Sequence, residues 1–153
     1  MARSNPRCYY PIGLDIAGRE CLVVGGGKVA ERKIKRLLDY GAKVQVVSPL
    51  LTVLLQEWAG QGLLKYRKGR FASSLLKKQV LVFAATDDVK LNQRIVRLAE
   101  RKKMLANSAK PGKASGFIVP ALLKRESFTV AVSTGGSSPA KAKKIKDGLE
   151  RIL

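Results

Sequence analysis

Residues 21–30 read Cys-Leu-Val-Val-Gly-Gly-Gly-Lys-Val-Ala, an apolar run followed by three glycines and the beginning of a helical pattern. Short apolar runs of this kind form buried strands, and residues 29–38 have the apolar spacing of an amphipathic helix. The stretch therefore predicts a strand, a tight glycine turn and a helix, in that order.

The glycines fit the pattern G-x-G-x-x-A, in which each small residue has a physical task. Gly25 stands where the chain turns sharply, Gly27 where the backbone approaches a pyrophosphate, and Ala30 where the helix packs on the strand. The N-terminus of that helix would offer its N–H groups to the phosphates. A second apolar strand at residues 44–48 follows at the distance of one β-α-β unit, which favours a dinucleotide site. A purely structural glycine turn is the alternative.

The alternation of strands and helices continues to about residue 110 and predicts an α/β fold with a Rossmann-like parallel sheet. Asp88 is predicted to cap the helix after the most apolar strand, and Gly41 to end the first helix. A half-buried edge strand is expected at residues 12–16. The predicted strands are 20–25, 43–48, 63–67, 80–85 and 104–106, and the predicted helices are 28–40, 52–59 and 89–102, with a turn or short helix at 72–78.

The last forty residues have a different character. A strand is predicted at residues 128–133 and a helix beginning at Ser138-Pro139, with Ile145, Leu149 and Ile152 forming an apolar stripe. So short a segment cannot bury a core of its own, so we expect it to pack on a second copy of the chain. The predicted division is a dinucleotide-binding domain at 1–114 and a dimerisation element at 115–153.

The composition excludes several classes of protein. There is no histidine and there are only two cysteines, Cys8 and Cys21, so no histidine triad and no Cys/His metal site is expected. No run of 18 apolar residues and no signal-like N-terminus is present, which predicts a cytoplasmic protein without a membrane span.

The net charge is +19, from 30 basic and 11 acidic residues, and basic residues are in excess along the whole chain. Such a surface attracts polyanions of any kind. Nucleic acid is the less favoured partner, because aromatic residues make up only 6% of the chain and no nucleic-acid-binding motif is evident.

Taken together, the motifs resemble those of the precorrin-2 dehydrogenase family, the dehydrogenase module of siroheme synthases. The resemblance spans residues 9–150 in consistent order. The segments that carry it are Tyr10-Pro11-Ile12, Gly25-Gly26-Gly27-Lys28-Val29-Ala30-Glu31-Arg32-Lys33, Val47-Ser48-Pro49, Ala84-Ala85-Thr86-Asp87-Asp88 with Leu91-Asn92, Phe117-Ile118-Val119-Pro120-Ala121, and Ser133-Thr134-Gly135-Gly136-Ser137-Ser138-Pro139-Ala140.

The resemblance implies oxidation of precorrin-2 to sirohydrochlorin with NAD⁺, a cytoplasmic homodimer and a tetrapyrrole substrate that carries eight carboxylates. It also implies that the helical C-terminal domain common in the family is absent. The residues implied to hold the cofactor are Gly25, Gly27, Lys28, Val29, Ser48, Pro49, Leu50 and Thr86. Ser48 is neutral where many NAD sites have an acid, so only the resemblance favours NAD⁺ over NADP⁺.

The substrate-binding residues implied in the same way are Asn107, Ser133, Thr134, Gly135, Gly136 and Ser137. The catalytic position departs from the family, because Lys110 stands where the family's N-x-x-D motif has the aspartate regarded as the general base. A lysine with its ordinary pKa is protonated at neutral pH and cannot accept a proton, whereas burial or neighbouring cations could lower its pKa enough to allow it. Asp87 and Asp88 are the remaining candidates, with a loop acid and a helix cap as their plain structural roles.

Two functional hypotheses follow from the position of Lys110. One is an NAD⁺-dependent precorrin-2 dehydrogenase. The other is a non-catalytic homologue that binds the dinucleotide and the tetrapyrrole as a carrier, sensor or partner. Insertion of iron by this chain is the least supported extension, because the family's implicated acid is missing and no metal ligands are predicted.

Overall fold

The computed structural model describes residues 9–109 and 116–153 of the chain. These residues form two compact units, one within residues 13–117 and the other made of residues 9–12 and 118–153. The domain boundary predicted between residues 114 and 115 lies outside the described residues.

The first unit is built on a five-stranded parallel sheet, which confirms the predicted α/β class. The strands are β1 (Glu20–Val24), β2 (Lys43–Ser48), β3 (Lys65–Lys68), β4 (Leu81–Ala84) and β5 (Leu105–Ser108). Their order in the sheet is β3-β2-β1-β4-β5, so the chain builds one half of the sheet outward from β1 and then returns to build the other half from β4. The helices are α1 (Lys28–Asp39), α2 (Val53–Gly60) and α3 (Val89–Arg101), with a 3₁₀ turn at Ser73–Leu75.

The core of this unit lies on both faces of the sheet, because alternate residues of each buried strand point to opposite faces. Cys21 and Val23 of β1 pack on the face that α1 and α2 cover, whereas Leu22 and Val24 pack on the face that α3 covers. The apolar face predicted for α3 is confirmed by the complete burial of Ile95 and Val96, with Ala99 beside them. Burial of Cys21 raises the pKa of its thiol to about 11, so this cysteine is inert core.

The edge strand predicted at residues 12–16 is wrong. Ile12 is 70% exposed and Leu14 is 39% exposed, and only Ile16 of the alternating residues enters the core. The Asp15 carboxylate accepts a hydrogen bond from the backbone N–H of Ala17 at 3.0 Å. The Ile16 carbonyl oxygen accepts from the N–H of Arg19 at 3.0 Å, so the segment leads into a local turn rather than pairing with a strand of the described sheet.

The second unit contains a two-stranded antiparallel sheet, β6 (Ala121–Lys124) with β7 (Thr129–Val132), and helix α4 (Pro139–Glu150). The predicted start of this helix at Ser138-Pro139 is confirmed, and Ser138 caps it by accepting a hydrogen bond from the N–H of Lys141. Leu123 of β6 and Ala142 of α4 are buried in this unit, whereas Ile145 is 43% and Ile152 77% exposed. None of the helices among the described residues is long and apolar enough to cross a bilayer.

Candidate dinucleotide-binding site

The carboxyl ends of β1 and β4 meet at the point where the strand order reverses. In open parallel sheets the crevice at this switch point is where ligands bind. The loop after β1 is the glycine turn, and the loop after β4 holds Thr86, Asp87 and Asp88. The topology therefore brings two of the predicted groups of site residues to one edge of the sheet.

Gly25 is required by the close packing of this loop against the end of β4. Its φ is +124°, and a Cβ at this position would fall inside contact distance of the Ala85 carbonyl oxygen and 2.6 Å from the Ala85 carbonyl carbon. The backbone N–H of Gly25 donates to the Val47 carbonyl oxygen at 2.9 Å. Gly25 thus joins the ends of three strands, and no other residue fits there.

Gly26 occupies a similarly tight place, although the motif assigns it no task. A Cβ on Gly26 would overlap the Leu50 carbonyl oxygen and lie 2.8 Å from the Ser48 hydroxyl oxygen. Its carbonyl oxygen accepts from the N–H of Thr52 at 2.9 Å. The connection between β2 and α2 is thereby packed directly onto the glycine turn.

Gly27 differs from both, because a Cβ there would meet nothing within 4 Å. Gly27 is the N-cap residue of α1, its φ is −88°, and no side chain caps the helix among the described residues. The exposed first turn, with Lys28 and Val29, therefore offers backbone N–H groups and the positive end of the helix dipole to open space. This arrangement fits a pyrophosphate, so the residues present fit a dinucleotide.

A polar network fixes the first turn of α1. The Glu31 carboxylate accepts from the Thr52 hydroxyl at 2.6 Å and from the Lys28 ammonium at 3.0 and 3.1 Å. The Thr52 hydroxyl, followed by Lys28, holds the pKa of Glu31 below its ordinary value. Thr52 also caps α2 by accepting from the N–H of Leu55. Thr52 was not among the predicted site residues, and its signal in the sequence is a residue type that caps helices at the start of the predicted helix 52–59.

The end of β2 carries the residues implied to face the adenosine ribose. Ser48 is buried, and its hydroxyl donates to the Leu50 carbonyl oxygen at 2.7 Å, so it holds the turn and does not face solvent. Beside it is an open pocket of about 260 Å³. The pocket is lined by Pro49, Leu50, Leu51, Gln56, Tyr66 and Lys68, and no carboxylate lines it.

The loop after β4 is held in place by Asn92, which was not among the predicted site residues. Asn92 is completely buried in α3. Its amide oxygen accepts from the N–H and hydroxyl of Thr86 at 3.1 and 2.7 Å, and its amide nitrogen donates to the Thr86 carbonyl oxygen at 2.9 Å. Asp88 accepts from the N–H of Leu91, which confirms the predicted cap, and Asp87 is exposed at the edge of the crevice.

Asn107, at the end of β5, is only 7% exposed and its amide is used within the protein. The amide oxygen lies 3.4 Å from the Lys33 ammonium, and the amide nitrogen donates to the Phe117 carbonyl oxygen at 2.9 Å. Lys110 lies outside the described residues.

The turn from Ser133 to Ser137 belongs to the second unit. Gly135 and Gly136 have φ values of +63° and +83°, and the N–H of Gly135 donates to the Ser133 hydroxyl oxygen. Thr134 and Ser137 are joined by a 2.6 Å hydrogen bond from the Ser137 hydroxyl to the Thr134 carbonyl oxygen. The turn is thus an internally bonded connection from β7 to α4.

Over residues 12–121 the sequence matches a family described as "Putative NAD(P)-binding". Siroheme synthase of Nitrosococcus oceani is 42% identical over 145 residues, which are 95% of this chain and 31% of that protein. Siroheme synthase of Escherichia coli K12 is 41% identical over 95% of this chain and 32% of its own. The chain therefore spans about a third of the length of these relatives. A solved structure, "SirC, precorrin-2 dehydrogenase", matches with a TM-score of 0.80 and 32% identity, covering 95% of this chain and 71% of that one.

Proposed function

We propose that this chain, which belongs to the precorrin-2 dehydrogenase family, oxidises precorrin-2 to sirohydrochlorin by hydride transfer to NAD⁺. The resemblance drawn from the sequence is confirmed at the level of the family, and the relatives named above are enzymes of siroheme synthesis and a precorrin-2 dehydrogenase. The substrate, the turnover and the choice of NAD⁺ are the proposal.

The observation that carries the proposal is the open first turn of α1 at the switch point of the sheet. Neighbouring backbone atoms occupy the space where a side chain of Gly25 or Gly26 would lie. The corresponding space at Gly27 is open, which leaves room for a ligand at an uncapped helix N-terminus. The N–H groups of Lys28 and Val29 would hold the pyrophosphate, and the pocket beside Pro49 and Leu50 would hold the adenosine end. When bound there, the nicotinamide ring of the cofactor would serve as the hydride acceptor.

The reaction also releases a proton, which a group of the protein or water must accept. Asp88 is committed to capping α3, which leaves it less suited to the task. Asp87 is exposed at the edge of the crevice, and Lys110 occupies the family's acid position in the sequence. Asp87 and Lys110 are therefore the proposed candidates for the catalytic base.

The second candidate function is a non-catalytic protein that binds both ligands. Lys110 favours it, because a protonated lysine supplies a cation where the family has an anion, and the Asp88 cap removes one substitute. In that case Ser133, Thr134 and the glycines that follow would still be proposed to bind substrate carboxylates. The two functions share the dinucleotide site and differ only in turnover.

The decisive test is NADH formation when the purified chain is mixed with NAD⁺ and anaerobically prepared precorrin-2. The dehydrogenase proposal expects a rate above that of the protein-free mixture, and a large loss of that rate in Asp87→Asn if Asp87 is the base. No rate, with binding of both ligands measured by calorimetry, would establish the non-catalytic function. Lys110→Asp would then be expected to create activity.

The homodimer remains part of the proposal and is supported by α4. Ile145 of α4 and Ile152 just after this helix are exposed apolar side chains, which a partner copy would bury. Sedimentation equilibrium of the wild-type chain is expected to give a dimer, and Ile145→Lys is expected to weaken it. A monomer at micromolar concentration would remove the dimer from the proposal. A cytoplasmic location is likewise proposed.

A further inference from the structure

Lys33 lies in an unusual place for a lysine. It belongs to the second turn of α1 and is half-buried on the face of the sheet covered by that helix. Its ammonium nitrogen lies 4.7 Å from the centroid of the Phe83 ring and 3.4 Å from the Asn107 amide oxygen. The Phe117 ring packs edge-on against Phe83 at 5.7 Å, so the Phe83 ring contacts both the Lys33 cation and the Phe117 ring.

The chemistry of these groups permits only one orientation of the Asn107 amide. An ammonium only donates hydrogen bonds, so Lys33 must face the amide oxygen. A carbonyl oxygen only accepts, so Phe117 must face the amide nitrogen, which lies 2.9 Å away. The Phe117 carbonyl and the Lys33 ammonium therefore require the same orientation of the Asn107 amide, and Lys33 adds a charged donor to its oxygen.

This placement is costly for a cation. Burial, followed by the positive charges of Arg36 and Arg32, lowers the pKa of Lys33 to about 8. Strands β4 and β5, which pack against it, contribute only uncharged residues, so no carboxylate from them offsets the cost. An apolar side chain would fill the same space without that cost, so stability alone does not account for a lysine here.

We propose that Lys33 is a positioning residue whose ammonium, as a charged donor to the Asn107 amide oxygen, strengthens the hold of Asn107 on the Phe117 carbonyl. Asn107 and Phe117 flank, in the sequence, the stretch that contains Lys110. The positioning of Asn107 by Lys33 does not depend on the proposed dehydrogenase function, whereas its expected effect on turnover rests on that function.

The test follows the side-chain amide signals of Asn107 by NMR in the ¹⁵N-labelled full chain between pH 6.5 and 9.5. In the wild type these signals are expected to move with a midpoint near pH 8, the value at which Lys33 loses its proton. Lys33→Arg keeps a charge throughout the range, so its signals should not move. Lys33→Met has no N–H group and no charge at this position, so its Asn107 signals should stay constant through the range and differ from those of the wild type at low pH.

Lys35→Met is the matched control, because Lys35 is an exposed lysine of the same helix that pairs with Asp39. The Asn107 amide signals of Lys35→Met should move with pH as those of the wild type do. Wild-type signals that stay constant through pH 8, or Lys33→Met signals that titrate like the wild type, would overturn the proposal. Where Lys33→Met does not fold, the comparison of wild type with Lys33→Arg decides the matter.

The activity measurement separates this inference from the proposed function. Turnover of precorrin-2 is expected to fall by about tenfold in kcat/KM in Lys33→Met, as displacement of a positioned group commonly does, while the Kd for NAD⁺ is unchanged. If the Asn107 signals of the wild type move with pH but the wild type shows no turnover, the proposed function is refuted and the positioning role is supported. Turnover without the titration would refute the positioning role alone.

Discussion

The Thr52 hydroxyl donates to the Glu31 carboxylate at 2.6 Å and so joins the first turns of α1 and α2. The same oxygen accepts from the N–H of Leu55 as the cap of α2. One side chain therefore fixes the two helix N-termini that border the glycine turn.

Thr52→Val should lower the free energy of unfolding by about 1–3 kcal/mol, because it removes a helix cap and a hydrogen bond to a charged group. Thr52→Ser keeps both and is the control. Since the folded pKa of Glu31 lies below its ordinary 4.5, the Glu31 contribution is full above that pH and is lost as pH falls through the folded value. Urea unfolding at pH 7 and pH 3 should therefore show a smaller difference between wild type and Thr52→Val at pH 3. An equal difference at both pH values would contradict the role assigned to Glu31.

Gly25 and Gly27 should respond in opposite ways to substitution. Gly25→Ala meets the Ala85 backbone at a positive φ and is expected to unfold or lose several kcal/mol. Gly27→Val has space and an ordinary φ, so the fold should be kept, while the new side chain occupies the place proposed for the pyrophosphate.

Calorimetry should then give a Kd for NAD⁺ that is raised at least about tenfold in Gly27→Val, a loss of roughly 1.4 kcal/mol or more. Gly60→Ala, at another open glycine position far from the turn in sequence, is the control and should bind as the wild type does. Unchanged binding by Gly27→Val would place the pyrophosphate elsewhere.

The pocket beside β2 should discriminate weakly between NAD⁺ and NADP⁺. Its charged lining residue is Lys68, and no carboxylate lines it to repel a 2′-phosphate. Leu50 is exposed at its rim. Leu50→Glu is expected to weaken NADP⁺ binding by about tenfold through charge repulsion and to leave NAD⁺ nearly unchanged. Leu50→Gln, of the same shape and neutral, controls for the loss of the apolar side chain. Equal weakening of both cofactors by Leu50→Glu would show that the ribose does not lie there.

The sheet was predictable because its signals are local. The apolar run ending at Val24 predicts β1 from neighbouring residues alone. In the same way Asp88 marks the start of α3 and Gly41 the end of α1. The failure at residues 12–16 has the complementary cause, since alternation does not reveal whether a partner strand is present. The segment leads instead into a turn in which Asp15 accepts from the N–H of Ala17.

The contacts within the site were less accessible from the sequence. Lys33 and Asn107 lie 74 positions apart, and only the packing of α1 over β4 and β5 brings them together. Asn92 was quoted as part of a motif, but its three bonds to Thr86 depend on the angle at which α3 leaves β4. Such contacts between elements arise from tertiary packing, which local periodicity does not specify.

Lys33 should also leave a signature in the pH dependence of stability. Its pKa is lowered from an ordinary 10.5 to about 8 in the folded protein. Below pH 8 it is protonated in both states, so the burial penalty is present in full. Between about pH 8 and 10.5 the unfolded chain keeps the proton that the folded chain has lost, so stability rises with pH.

The free energy of unfolding of the wild type should therefore increase relative to that of Lys33→Met by about 2 kcal/mol between pH 7 and pH 10. Other groups titrate in this range, but they are common to both proteins and cancel in the difference. Lys35→Met, which removes an exposed charge from the same helix, controls for the change in net charge. Urea unfolding at the two pH values measures the effect. If the difference in unfolding free energy between wild type and Lys33→Met stays constant or falls with pH, the folded protein does not destabilise the charged form of Lys33. Burial of this lysine would then carry no energetic cost.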